Sequence, residues 1–191
     1  IFDGYLQFFT GKNIQGYLIQ GTRISSFFGK ELILGSYLSR LMPVFFASII
    51  YLNKKKIISI NYLFFYGLLF ILVDVLIYLS GERASFFYLN FSTFFLLIFL
   101  NDYKKFRLIT FLISLILIIL VSVSKPEYKN RMINNTIENS FIKNLISSNK
   151  VSSNTLFTTE HDALYSSAYK MFLKNKHLGV GPKLFRYECY K

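Results

Sequence analysis

Four apolar runs organise this chain. Residues 32–52, 60–79, 86–100 and 106–123 are dominated by Leu, Ile, Phe, Val and Tyr, and none holds more than one charged side chain. A helix rises about 1.5 Å per residue, so about 20 such residues cross a hydrocarbon core of roughly 30 Å. The third run is the shortest. It spans only by borrowing Ala84 and Ser85 or where the bilayer thins. The pattern therefore predicts four transmembrane helices at about 32–52, 60–79, 84–100 and 106–123.

The flanking regions read differently. In residues 1–31, Phe2, Tyr5, Leu6, Phe8 and Phe9 alternate with Asp3 and Gln7, and glycines recur at 4, 11, 16, 21 and 29. That is too broken for a span, and short amphipathic pieces in a periplasmic or interfacial segment are expected. From Ser124 the chain turns polar. Ile133, Ile137, Phe141, Ile142, Leu145 and Ile146 recur at helical spacing. A second helix is expected over 159–174, with Glu160 and Asp162 favourable in its first turn, followed by a Gly/Pro turn at 178–182. The expected fold class is all-α: a polytopic membrane helix bundle (32–123) behind segment 1–31, with a helical periplasmic lobe (124–191).

Composition sharpens this picture. Of 191 residues, 53% are hydrophobic and 22 are Phe, which exceeds the content of ordinary soluble domains. The net charge of +12 would suit nucleic acid in a soluble protein. Here the charges sit between apolar runs, so the lipid bilayer and phosphorylated lipids are the expected partners, with no nucleic acid. Cys189 is the only cysteine, and no His, Cys or carboxylate cluster has metal spacing, so neither metal nor cofactor is expected. Lys54, Lys55 and Lys56 lie in one short loop, and Lys104, Lys105 and Arg107 lie in or beside another. The positive-inside rule puts both in the cytoplasm and leaves 1–31, 80–85 and 124–191 outside.

Chemistry concentrates at Ser80-Gly81-Glu82-Arg83-Ala84-Ser85, a polar break where one span leaves the lipid and the next re-enters. Arg83 reads either as an interfacial side chain snorkelling to head groups, paired with Glu82 or with nothing, or as a phosphate clamp with a planar fork. Gly81 beside it permits close backbone approach to a ligand. Arg23 carries the same two readings and is the expected helper. Arg40 and Asp74 are intramembrane charges, about 12 Å and about 9 Å deep by helix rise. An Arg40–Asp74 ion pair is the favoured reading, with a substrate contact the other. His161 reads as structural or surface, and His177 as exposed.

Taken in order, these residues resemble the bacterial O-antigen ligase and O-antigen polymerase family. The resemblance rests on Asp3-Gly4-Tyr5-Leu6-Gln7, on Arg23-Ile24-Ser25-Ser26-Phe27-Phe28-Gly29 with Glu31-Leu32-Ile33-Leu34-Gly35-Ser36 following, on Ser80-Gly81-Glu82-Arg83, and on Lys174-Asn175-Lys176-His177-Leu178-Gly179-Val180-Gly181-Pro182-Lys183-Leu184-Phe185-Arg186. It implies a multi-pass protein of the bacterial inner membrane. The implied activity is inverting glycosyl transfer from undecaprenyl diphosphate to a sugar or lipid A-core hydroxyl, at the periplasmic face and without metal or nucleotide sugar. It further implies that Arg23 and Arg83 engage the lipid diphosphate. A catalytic His in a His-Asn-x-Tyr motif is implied after the Gly-x-Gly-Pro turn, so His161, which precedes that turn, does not match it. The sequence stops at Lys191 before such a motif, and the expectation is a fragment inactive on its own. A transporter or flippase of lipid-linked glycans is the rival reading, motivated by Arg40 and Asp74, and would show broken helices or repeats.

Overall fold

A computed structural model of the chain describes residues 1–55, 60–134, 136 and 159–176, with Gly179, Gly181, Leu184 and Tyr187. The described elements are helical: α1 (Phe2–Thr10), α2 (Leu34–Lys54), α3 (Ile60–Leu79), α4 (Arg83–Phe99), α5 (Lys104–Ser124), α6 (Pro126–Lys129) and α7 (Thr159–Lys174). Short 3₁₀ turns at Ser26–Phe28 and Asn101–Tyr103 and a π turn at Asn130–Asn134 complete them. Among the described residues, β pairing is limited to single bridges at Lys12–Leu18 and Gln20–Arg23. The chain divides into two compact units, Ile1–Asn134 and Asn135–Lys191. In the second, α7 follows the expected bounds, and Gly179 and Gly181 take the positive φ of a glycine turn. The helix expected over 133–146 falls largely outside the described residues, as does His177.

The four apolar runs form α2 to α5. Leu34–Lys54 and Asn101–Ser124 are long and apolar enough to cross a membrane, while the apolar stretches Phe64–Leu79 and Arg83–Phe99 are shorter. Large apolar side chains face outward along α3, α4 and α5, with Phe64 79%, Phe99 71% and Ile119 60% exposed. A soluble monomer rarely leaves so continuous an apolar surface open, whereas acyl chains would cover it. Inside the first unit, α3 is the central helix. Leu76, Ile77 and Leu79 are fully enclosed. One core cluster gathers Phe8, Ile24, Leu76, Leu79, Ile118, Tyr128 and Met132. A second gathers Met42, Phe46, Phe70, Val73, Ile77, Leu89 and Tyr103. Buried Ser39, Ser85, Thr93, Thr110 and Ser114 lie between helices, the small polar residues that let apolar-solvated helices approach closely.

Hydrogen bonds define the two ends of this bundle. At one, Tyr78 Oη pairs with Ser122 Oγ at 2.7 Å, joining the last turns of α3 and α5. At the other, Asn53 Nδ2 donates to Tyr103 Oη at 2.9 Å, joining the end of α2 to the start of α5 beside Lys54, Lys55, Lys104 and Lys105.

One expectation is refined and one is corrected. The first concerns residues 1–31, whose short helix α1 packs into the bundle. Tyr5 Oη donates to the Leu72 carbonyl at 2.7 Å, and a Cβ on Gly4 would stand 2.9 Å from Leu76 Cδ1, so α1 packs closely alongside α3. Ile1 reaches a cleft lined by Met42, Leu69 and Val73. The polar residues in α1 that suggested a surface piece are instead buried and bonded. Asp3 accepts from Ile14 N and Ser26 Oγ, and Gln7 Oε1 accepts from Ser25 N and Ser26 N, which ties the loop over the helix.

The second concerns the charged pair. Asp74 pairs with Arg107, not with Arg40. Arg107 Nη1 and Nη2 donate to the two Asp74 oxygens at 2.9 and 3.1 Å, and both side chains are 2% exposed. Thr93 Oγ1 and Ser114 Oγ close the network from α4 and α5, and the guanidinium lies over Phe70. Arg40 is exposed on α2. Arg107 is thus no loop cation, and within 101–107 the loop charge is that of Lys104 and Lys105.

Candidate functional site

The site forms where α3 ends and α4 begins. Gly81 stops α3 with φ +68, a left-handed conformation that L side chains rarely adopt. Its neighbour Glu82 reaches the start of α2. The Glu82 carboxylate accepts from Gly35 N at 2.7 Å and Ser36 N at 3.0 Å, capping the free N–H groups of α2. Ser36 Oγ and Ser85 Oγ donate to the same carboxylate. The acidic group of the 80–85 break therefore locks α2 to α4, and does not need Arg83 as its counter-ion. Arg83 opens α4, half-buried, where the helix dipole adds positive potential.

Arg23 arrives from the loop over α1. Ile24 is buried and the following Ser25 and Ser26 are held by Gln7, so the residue before them is carried to the end of α3. Arg23 Nη2 donates to the Leu32 carbonyl at 2.8 Å, and Nε makes a longer contact of 3.4 Å to the Ser80 carbonyl. The two predicted arginines are thereby brought to the same end of the bundle.

A third arginine completes the cluster. Pro126 starts α6, Tyr128 packs its ring on Phe8 at 5.7 Å, and Met132 is buried in the same core. Between them, on the π turn, stands Arg131, whose Nε donates to the Gly81 carbonyl at 3.1 Å. A Cβ on Gly81 would meet Arg131 Nε at 2.7 Å and Arg23 Cγ at 3.0 Å, so both side chains lie against the one glycine. Burial, then the charges of Arg23 and Arg83, pull the Arg131 pKa below its ordinary value. Like charges gathered at one place favour an anion there, and guanidinium forks match phosphate oxygens bidentately. Arg131 was not singled out from sequence. The usable signal was Tyr128 and Met132, two apolar side chains four apart in a polar segment, which mark a turn packing back on the bundle.

Arg40 stays outside this cluster: no hydrogen bond or ion pair ties it to another described residue. Among the described residues, no three His, Cys, Asp or Glu side chains stand together to hold a metal. No family model matches the chain, and no curated protein or solved structure matches it either.

Gly81→Ala tests whether the glycine seat matters. The positive φ alone costs a residue with a Cβ roughly 1–2 kcal/mol. The Cβ also displaces the two guanidinium stems. Binding of a diphosphate anion offered as a probe of the cluster should fall about tenfold, as expected where one charge-assisted contact is lost, while helical content holds. A variant binding as tightly as the parent would show that the cluster tolerates movement.

Proposed function

We propose that this chain belongs to a multi-pass glycosyltransferase of the bacterial inner membrane. It would move a glycan from undecaprenyl diphosphate to a sugar or lipid A-core hydroxyl at the periplasmic face, as an O-antigen polymerase or ligase. The observation that supports this most is the gathering of Arg23, Arg83 and Arg131 at the bundle end opposite Lys54, Lys55, Lys104 and Lys105. By the positive-inside rule the lysine end faces the cytoplasm and the arginine end faces out.

The chemistry suits such a cluster. The acceptor hydroxyl oxygen attacks the anomeric carbon as the bond from that carbon to the diphosphate oxygen breaks. One displacement inverts the anomeric centre and releases undecaprenyl diphosphate. Negative charge grows on the departing oxygen, and fixed guanidinium groups lower that barrier. A base takes the hydroxyl proton. The family resemblance assigns that base to a motif following the Gly-x-Gly-Pro turn, and His161 is given no such role.

The experiment is transfer by the full-length protein in proteoliposomes, supplied with an undecaprenyl-diphosphate glycan and an acceptor. A new glycosidic bond with release of undecaprenyl diphosphate is the expected result. Movement of the intact glycolipid between leaflets, with no new bond, would replace this reading with the flippase one.

A further inference from the structure

We propose that Arg131 is the residue that makes the site select a diphosphate-linked carrier over a monophosphate-linked one. This rests on the reading above, and adds a specificity residue to it. Arg23 has two of its nitrogens engaged by backbone carbonyls, at Leu32 and Ser80. Arg131 has only its Nε so engaged, by the Gly81 carbonyl, and its two terminal nitrogens make no hydrogen bond to described residues. That single tether fixes the plane of the guanidinium and leaves its terminal fork for a ligand. The side chain is half-buried, so an anion can reach it.

A phosphodiester linking a lipid to one sugar carries one phosphoryl group and one negative charge. A diphosphate linkage carries two of each. Arg83 at the head of α4 and the partly committed Arg23 suit the first phosphoryl group. A second one needs another donor set, on a different element, at the same glycine. Arg131 is the described cation that meets this requirement. It comes from the turn after α6, held by Tyr128 and Met132, and not from the 80–85 break. Loss of its charge should therefore remove discrimination, while loss of Arg83 should weaken both ligands.

The test is equilibrium binding of two probes to the full-length protein in nanodiscs: an undecaprenyl-diphosphate sugar and an undecaprenyl-monophosphate sugar. Arg131→Gln should weaken the diphosphate probe about tenfold, the scale of one charge-assisted contact, and change the monophosphate probe by less than about twofold. Arg131→Lys keeps the charge without the planar tether and should fall between, which keeps the test alive if the Gln variant does not fold. Equal loss of both probes, or loss of neither, overturns the assignment and leaves Arg131 a structural brace for Gly81. Arg83→Gln is the control for the underlying reading. If it binds both probes like the parent, the whole arginine site is wrong as a carrier site; if only the Arg131 ratio fails, the specificity assignment alone falls.

Discussion

Replacing Arg107 with Met is expected to destabilise the first unit by about 3–5 kcal/mol, the usual cost of leaving one member of a buried ion pair without its partner. The geometry argues for the upper part of that range. Asp74 is 2% exposed, and Arg107 donates to both of its oxygens. Without Arg107, Ser114 Oγ is the one described donor left to the carboxylate. Thr93 on α4 loses its partner as well. Arg107 itself is not ideally satisfied: its Nε is the one buried side-chain nitrogen or oxygen without a partner among the described residues. The pair is therefore a device for holding α3, α4 and α5 in one register, and not an optimum of stability. It follows that Arg107→Met combined with Asp74→Leu should recover most of the loss, because neither charge is then stranded. Unfolding of the purified protein in detergent micelles, followed by circular dichroism, measures this. Single variants that unfold with the parent, or a double variant no better than the singles, would show that water reaches the pair.

The same pair shows how far the sequence could be read. The four apolar runs declare their helices because nearly every position is apolar, and their observed bounds differ from the expected ones by only a few residues at most ends. The partner of Asp74 was not readable by depth. Arg40 and Asp74 were matched by the positions of their backbones. Arg107 stands in the first turn of α5, yet its long side chain and that of Ser114, two helical turns along, both donate to the Asp74 oxygen Oδ2. Counting residues locates a Cα, and for arginine the charge lies several ångströms away. In α1 the difficulty was reversed. Asp3 and Gln7 look like surface residues until their acceptors and donors are known to be backbone groups at 14, 25 and 26. Polarity in a sequence reports that a hydrogen bond is needed, not whether water or the chain supplies it. Arg83 borders an apolar run, where a cation is conspicuous, whereas Arg23 drew attention only as its expected helper in the polar segment before the first run. Arg131 lies among other polar residues, and only the fold brings it to Gly81.

On the proposed glycosyltransferase reading, Arg83→Gln should lower the rate of glycan transfer by the full-length protein on the order of 10²–10³-fold, the range seen when one fixed group that stabilises developing negative charge is removed. Gln keeps hydrogen-bonding capacity and much of the length, so the change isolates charge and the fork. The fold should survive it, because the Glu82 carboxylate itself ties the start of α4 to Gly35, Ser36 and Ser85. That separation of roles makes the result readable. If Arg83 were only an interfacial anchor, Gln would change membrane stability slightly and transfer hardly at all. If it neutralises the leaving diphosphate, transfer falls while the unfolding midpoint stays put. The rate should drop more than carrier affinity does, since the charge on the bridging oxygen grows only as the bond breaks. Single-turnover transfer measured beside carrier binding separates the two. Equal losses in both would make Arg83 a binding residue alone, and would shift the stabilisation of the leaving group to Arg23 and Arg131.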